Sequence, residues 1–151
     1  MANPAARKQQ SDKLIFWGIL LFFLGLVSGL FIPMMANPRM GLSTHLEGIM
    51  NGIFLCLLGL IWNRLILADR WIYFGFWLAL YGTFANFFAV LISAISGAGR
   101  LMPIAGGKEG APIIESIVST LLITLTVFML IVCIIVLAGL YKSQRSGDRN
   151  A

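Results

Sequence analysis

Charge is scarce in this chain. Asp, Glu, Lys and Arg make up 11% of its 151 residues, against 59% hydrophobic residues. A soluble domain carries about a quarter charged residues, so the composition excludes one, and the apolar excess must face something other than water. The apolar runs are continuous, without the in/out alternation that a membrane β-barrel needs, which excludes strands for most of the chain. Cysteine is scarce too. Cys56 and Cys133 are the only two, with no CxxC and no polar neighbours, and they read as small hydrophobes filling space. The first apolar run holds no ionisable side chain, which counts against a small drug exporter built on an intramembrane carboxylate there. His45 is the only histidine, which argues against a bis-histidine electron-transfer anchor within one chain.

What is present is length and apolarity. A spanning helix needs roughly 20 apolar residues, because each residue rises ~1.5 Å through a hydrocarbon core ~30 Å thick. Four runs meet that test, at about residues 14–35, 46–66, 71–95 and 112–141. The predicted fold is all-α, an integral membrane four-transmembrane-helix bundle over 14–141, between polar tails at 1–13 and 142–151, the latter expected to be disordered. The first run is too long for a cleaved signal and is expected to be retained.

Net charge is +5, but the placement of the cations points to a bilayer and not to nucleic acid. Arg7, Lys8, Lys13, Arg64, Arg70, Lys142, Arg145 and Arg149 fall on one side, with Arg39, Arg100 and Lys108 on the other. The positive-inside rule then predicts a cell inner (plasma) membrane protein with both termini cytoplasmic. Trp17, Trp62, Trp71, Tyr73 and Tyr141 lie near that same side, as an interfacial aromatic belt would. The opposite side carries two longer loops, 37–44 and 96–111, rich in Gly and Pro.

Small residues mark close packing: Gly25 and Gly29 in the first run, Gly48 and Gly52 in the second. Ser116, Thr120 and Thr124 form a weakly polar stripe on the fourth, read as packing and interhelical hydrogen-bond positions. Polar groups inside a span are expensive and are functional candidates. The second run opens with His45, Glu47 and Asn51, the third carries Tyr81 and Asn86, and the fourth begins near Glu115. At ~1.5 Å per residue, Asn51 lies about 9 Å inward of His45, and Tyr81 and Asn86 lie ~15 and ~22 Å above the start of the third helix. These residues can share the outer half of the membrane. At about 100° per residue Glu47 and Asn51 share a face, while His45 points ~120° away from Asn51. One site using all three would lie between subunits, with Gly48 and Gly52 facing that interface. His45 has two readings, a hydrogen-bonded histidine at a helix start or an axial ligand. Glu47 also has two, an acid favoured by the helix dipole or a functional carboxylate.

The stretch 37–52, NPRMGLSTHLEGIMNG, resembles the hydroxylaminobenzene mutase family, as do Tyr81-Gly82-Thr83-Phe84-Ala85-Asn86 and the loop Gly97–Pro103. His45 followed six residues later by Asn51-Gly52 is also similar to styrene oxide isomerase, a more distant four-helix membrane enzyme. In that relative the matching histidine ligates haem b held between subunits of a trimer, and the matching asparagine lines the substrate pocket. The resemblance therefore implies a homotrimer with haem b on His45, the metal ligand, and with Arg39 and Arg100 as further cofactor-binding candidates. Asn51 becomes a pocket residue, joined as catalytic candidates by Asn86, Tyr81 and Glu47. The carboxylate that precedes the third-helix asparagine in styrene oxide isomerase has no counterpart, since Tyr81 and Gly82 stand nearest.

The implied activity is an isomerase that converts a small aromatic substrate, an aryl hydroxylamine of the hydroxylaminobenzene type, into a 2-aminophenol. Haem iron would be the Lewis acid and Tyr81 or Glu47 the proton carrier. Competing expectations are an epoxide isomerase on the same haem site, a small membrane transporter, and a haem-binding electron-transfer anchor.

Overall fold

A computed structural model describes residues 4–148. They form four helices, α1 (Pro4–Leu30), α2 (Pro38–Ile61), α3 (Asp69–Ser96) and α4 (Pro112–Asp148), with short 3₁₀ turns at Ile32–Met34, Trp62–Arg64 and Pro103–Ala105. All four are long and apolar enough to cross a membrane.

The helices extend past the apolar runs for local reasons. Residues 4–13 are rich in Ala, Arg, Lys and Gln, good helix formers, and they have partners. Arg7 donates to the Leu65 and Leu67 carbonyls at 2.7 Å each and pairs with Asp69 at 3.1 Å. Ser11 Oγ donates to the Gly59 carbonyl at 2.7 Å, and Trp62 Nε1 donates to Gln10 Oε1 at 3.1 Å. Trp62 is thus fully buried core and not part of an aromatic belt, whereas Trp17, Trp71, Tyr73 and Tyr141 are exposed. α1 stops at Leu30 because Pro33 lacks an N–H and disfavours helix at the residue before it. α2 starts at Pro38, a favoured first helical residue, with the Asn37 side chain accepting from the Met40 N–H. Residues 38–44, expected as loop, are therefore helical. Gly97, at φ +78°, ends α3 in the left-handed conformation. α4 continues to Asp148, and of the tail expected to be disordered only 149–151 lie outside the described residues.

The four helices form an open arrangement. α2 packs against α1 and α3, α4 packs on α3, and α1 touches α3 lightly; among the described residues α4 meets neither α1 nor α2. The α1–α2 seam is glycine-built. A Cβ on Gly52 would lie 2.6 Å from the Gly18 carbonyl, and one on Gly25 would lie 2.7 Å from the Ile49 nitrogen. Gly48 and Gly52, expected at a subunit interface, instead hold α1 of the same chain. Two helices with bare backbone at facing positions approach until main chain meets main chain. Leu14, Leu21, Leu55, Trp62, Ile72 and Phe76 fill the main core beside that seam.

Candidate functional site

Glu47 lies in the third turn of α2, because the helix begins at Pro38. That position is too far from the helix end for the dipole to explain a carboxylate. What holds it is a pair of amides. Asn51, one turn further along α2, donates from Nδ2 to Glu47 Oε2 at 3.0 Å. Asn86, on α3, donates from Nδ2 to the same oxygen at 2.6 Å. All three side chains are half-buried. A half-buried carboxylate among apolar side chains needs such donors, since its surroundings supply none. Both donors sit on Oε2, so among the described residues Oε1 has no protein partner, and each asparagine keeps one N–H and its carbonyl oxygen for a ligand.

His45 faces the other way. Its Nδ1 lies 2.8 Å from the Gly25 carbonyl oxygen on α1. A carbonyl only accepts, so Nδ1 carries the proton and Nε2 carries the lone pair. The imidazole borders an apolar surface cavity of about 560 Å³, lined by Phe23, Leu26, Val27, Leu30, Ile32 and Leu42 among others. His45 is half-buried in the interior of α2, which excludes the helix-start reading. α2 thus presents an imidazole toward α1 and, toward α3, a carboxylate with one amide of its own, which meets the Asn86 amide of α3.

Three of the other sequence candidates stand apart. Tyr81 is 40% exposed, and its hydroxyl meets Thr124 Oγ1 on α4 at 2.8 Å, with its ring edge-on to Phe128. It makes no contact with Glu47 or either asparagine, because five residues separate Tyr81 from Asn86 and turn them to different sides of α3. Arg39, in the first turn of α2, and Arg100, in the α3–α4 segment, are exposed and line neither the His45 cavity nor the Glu47 cluster. Arg39 instead borders a small surface cavity with Asn37, Ala105, Gly106 and Lys108.

The styrene oxide isomerase family model matches residues 10–141, which take in α2 and α3, most of α1 and α4, and the whole of this constellation. The chain belongs to the styrene oxide isomerase family. Hydroxylaminobenzene mutase HabB of Ectopseudomonas oleovorans is 47% identical over 153 aligned residues, covering 99% of this chain and 92% of that protein. Hydroxylaminobenzene mutase HabA of the same organism is 45% identical over 127, covering 83% and 94%. Family and relatives alike place this styrene oxide isomerase family member among isomerases. No solved structure matches.

Whether the residues of this family member suit a haem can be judged on its own chemistry. Among the described residues no three His, Cys, Asp or Glu side chains gather as a metal-ion site. A macrocycle brings its own equatorial nitrogens and needs one protein donor with apolar walls. His45 offers that donor, with its tautomer set by a backbone carbonyl and its Nε2 free beside aliphatic and aromatic side chains. The donor set fits.

Sequence reasoning underrated one further residue. Glu115, in the first turn of α4, is buried and accepts the backbone N–H groups of Gly99, Arg100 and Gly110 at 2.9, 3.1 and 2.9 Å. It ties down the 97–111 segment, which in turn meets the start of α2 through Asn37 Nδ2, donating to the Ala105 carbonyl at 3.0 Å. The available signal was an acid just after a Gly-rich loop whose amides need an acceptor.

Proposed function

We propose that the chain is a membrane isomerase that converts aryl hydroxylamines of the hydroxylaminobenzene type into 2-aminophenols. The observation that carries this is 47% identity to a hydroxylaminobenzene mutase over 99% of the chain. The charge asymmetry of the loops supports the inner membrane with both termini cytoplasmic.

The reaction is an isomerisation: an N–O bond breaks, a C–O bond forms at the ortho carbon, the ring loses a proton and nitrogen gains one. No reductant or oxidant is consumed. Asn51 and Asn86 each have a free N–H with which to hold the migrating oxygen near the ring. Glu47 Oε1, free of protein donors, takes the ortho proton and returns it to nitrogen. Tyr81 is the weaker candidate for that transfer, since it is turned toward Thr124. His45 would hold haem b, which supplies a Lewis-acidic iron to the hydroxylamine oxygen. Imidazole and carboxylate lie on opposite sides of α2, so a complete site joins His45 of one copy to Glu47, Asn51 and Asn86 of a neighbour. A homotrimer, the assembly of the more distant relative, would provide that junction.

Purified protein in detergent should convert hydroxylaminobenzene to 2-aminophenol and show a haem Soret band, both lost in His45→Ala. A colourless but fully active preparation would remove the haem and leave the isomerase. Membership of the styrene oxide isomerase family supports a second reading, an epoxide isomerase on the same site. Turnover of styrene oxide but not of hydroxylaminobenzene would establish it.

A further inference from the structure

The seat of His45 on α1 is more specific than a hydrogen bond. The Gly25 carbonyl accepts from His45 Nδ1 at 2.8 Å and also from Ser28 Oγ at 2.8 Å. One turn on from Gly25, Gly29 presents bare backbone to the ring. A Cβ there would stand 2.6 Å from His45 Nδ1 and 3.1 and 3.2 Å from Cε1 and Cγ. The imidazole therefore lies directly against the α1 backbone, in a place that no other residue type at position 29 would leave open. Among the described residues no group partners Nε2, and it is not among their buried atoms without a hydrogen bond, so it has access to the adjoining cavity.

We propose that Gly29 and the Gly25 carbonyl are positioning elements that lock His45 as its Nδ1–H tautomer and present Nε2 as a preformed donor. Ser28 sets how fully that carbonyl is available to the ring. A carbonyl shared with a hydroxyl accepts less from each donor, and the strength of the Nδ1–H bond governs how strongly Nε2 donates. The donor role rests on the reading of His45 as the haem ligand; the tautomer and the ring's seat do not.

Because His45 is the only histidine, ¹⁵N-histidine labelling gives a single ring, readable by NMR in the full chain without cofactor at mildly alkaline pH. The expected wild-type spectrum has the proton on Nδ1 and an unprotonated Nε2. Gly29→Ala should abolish that preference, because the added methyl pushes the ring off the carbonyl. Ser28→Ala, which removes only a hydroxyl, should keep the tautomer and shift the Nδ1 resonance. Gly18→Ala crowds the same α1–α2 seam near Cys56, away from His45, and should leave the ring signals unchanged. A wild-type Nε2–H tautomer would overturn the proposal. So would equal ring perturbation by Gly18→Ala and Gly29→Ala, which would mark general helix separation. If the Nδ1–H form is seen and no preparation ever takes up haem, the seat stands and the cofactor reading falls.

Discussion

At the scale of single residues, the acid Glu47 is unlike the other polar groups of the apolar runs. The threonines of α4 satisfy their hydroxyls on carbonyls one turn back, as Thr120 does on Ser116 and Thr126 on Leu122, at 2.8 and 2.7 Å. Glu47 has no such local solution and depends on amides from two helices. Glu47→Gln keeps an oxygen for those amides and removes the base. Its turnover number should fall by about 10²-fold or more, with thermal stability in detergent close to wild type. A variant that loses activity only in proportion to lost folded protein would show that Glu47 is structural. The pairing of Glu47 with Asn51 was legible from one-turn spacing, but the third partner, Asn86, was placed only by depth.

At the scale of elements, the α3–α4 connection is held by backbone amides gathered on one carboxylate. The 97–111 segment has left-handed glycines at Gly97, Gly106 and Gly107 and only a single 3₁₀ turn, so it supplies little regular hydrogen bonding of its own. Glu115 takes up three of its N–H groups. Glu115→Ala leaves buried donors unpaired and should cost on the order of 3 kcal/mol. Limited proteolysis should then cut within 97–111 well before any helix, while Glu115→Gln, which retains an acceptor, should lose less. Resistance equal to wild type would mean that the segment is held from elsewhere, for instance through the bond from Asn37 to Ala105. The start of α2 was missed for a related reason. Apolarity begins only at Leu46, whereas the helix is set in motion by Asn37 and Pro38.

At the scale of the whole molecule, the arrangement of helices leaves the proposed site in two halves. Among the described residues α4 touches neither α1 nor α2, and α2 turns His45 toward α1 while Glu47 and Asn51 face α3. If a working site joins one copy's imidazole to its neighbour's carboxylate, two inactive variants should repair each other. Co-expressed His45→Ala and Glu47→Gln chains should regain about a quarter of wild-type activity when copies mix at random in a closed ring. The same variants purified separately, without subunit exchange, should stay inactive. No recovery on co-expression would place the whole site within one chain.

The sequence by itself determined the number of helices, their capacity to span a membrane and the family. These follow from properties summed over long stretches or carried by short motifs: ~20-residue apolar runs, scarce charge, and the segment around His45 and Asn51. It also determined that His45 and Asn51 diverge, because helical geometry fixes the angle between residues on one helix. Only the tertiary structure decided what lies opposite each face. Gly48 and Gly52 meet α1 of their own chain, Trp62 turns inward to Gln10, and Tyr81 turns to Thr124. In each case the pattern names a face, and the partner is chosen by which helices can approach closely enough to fill or satisfy it.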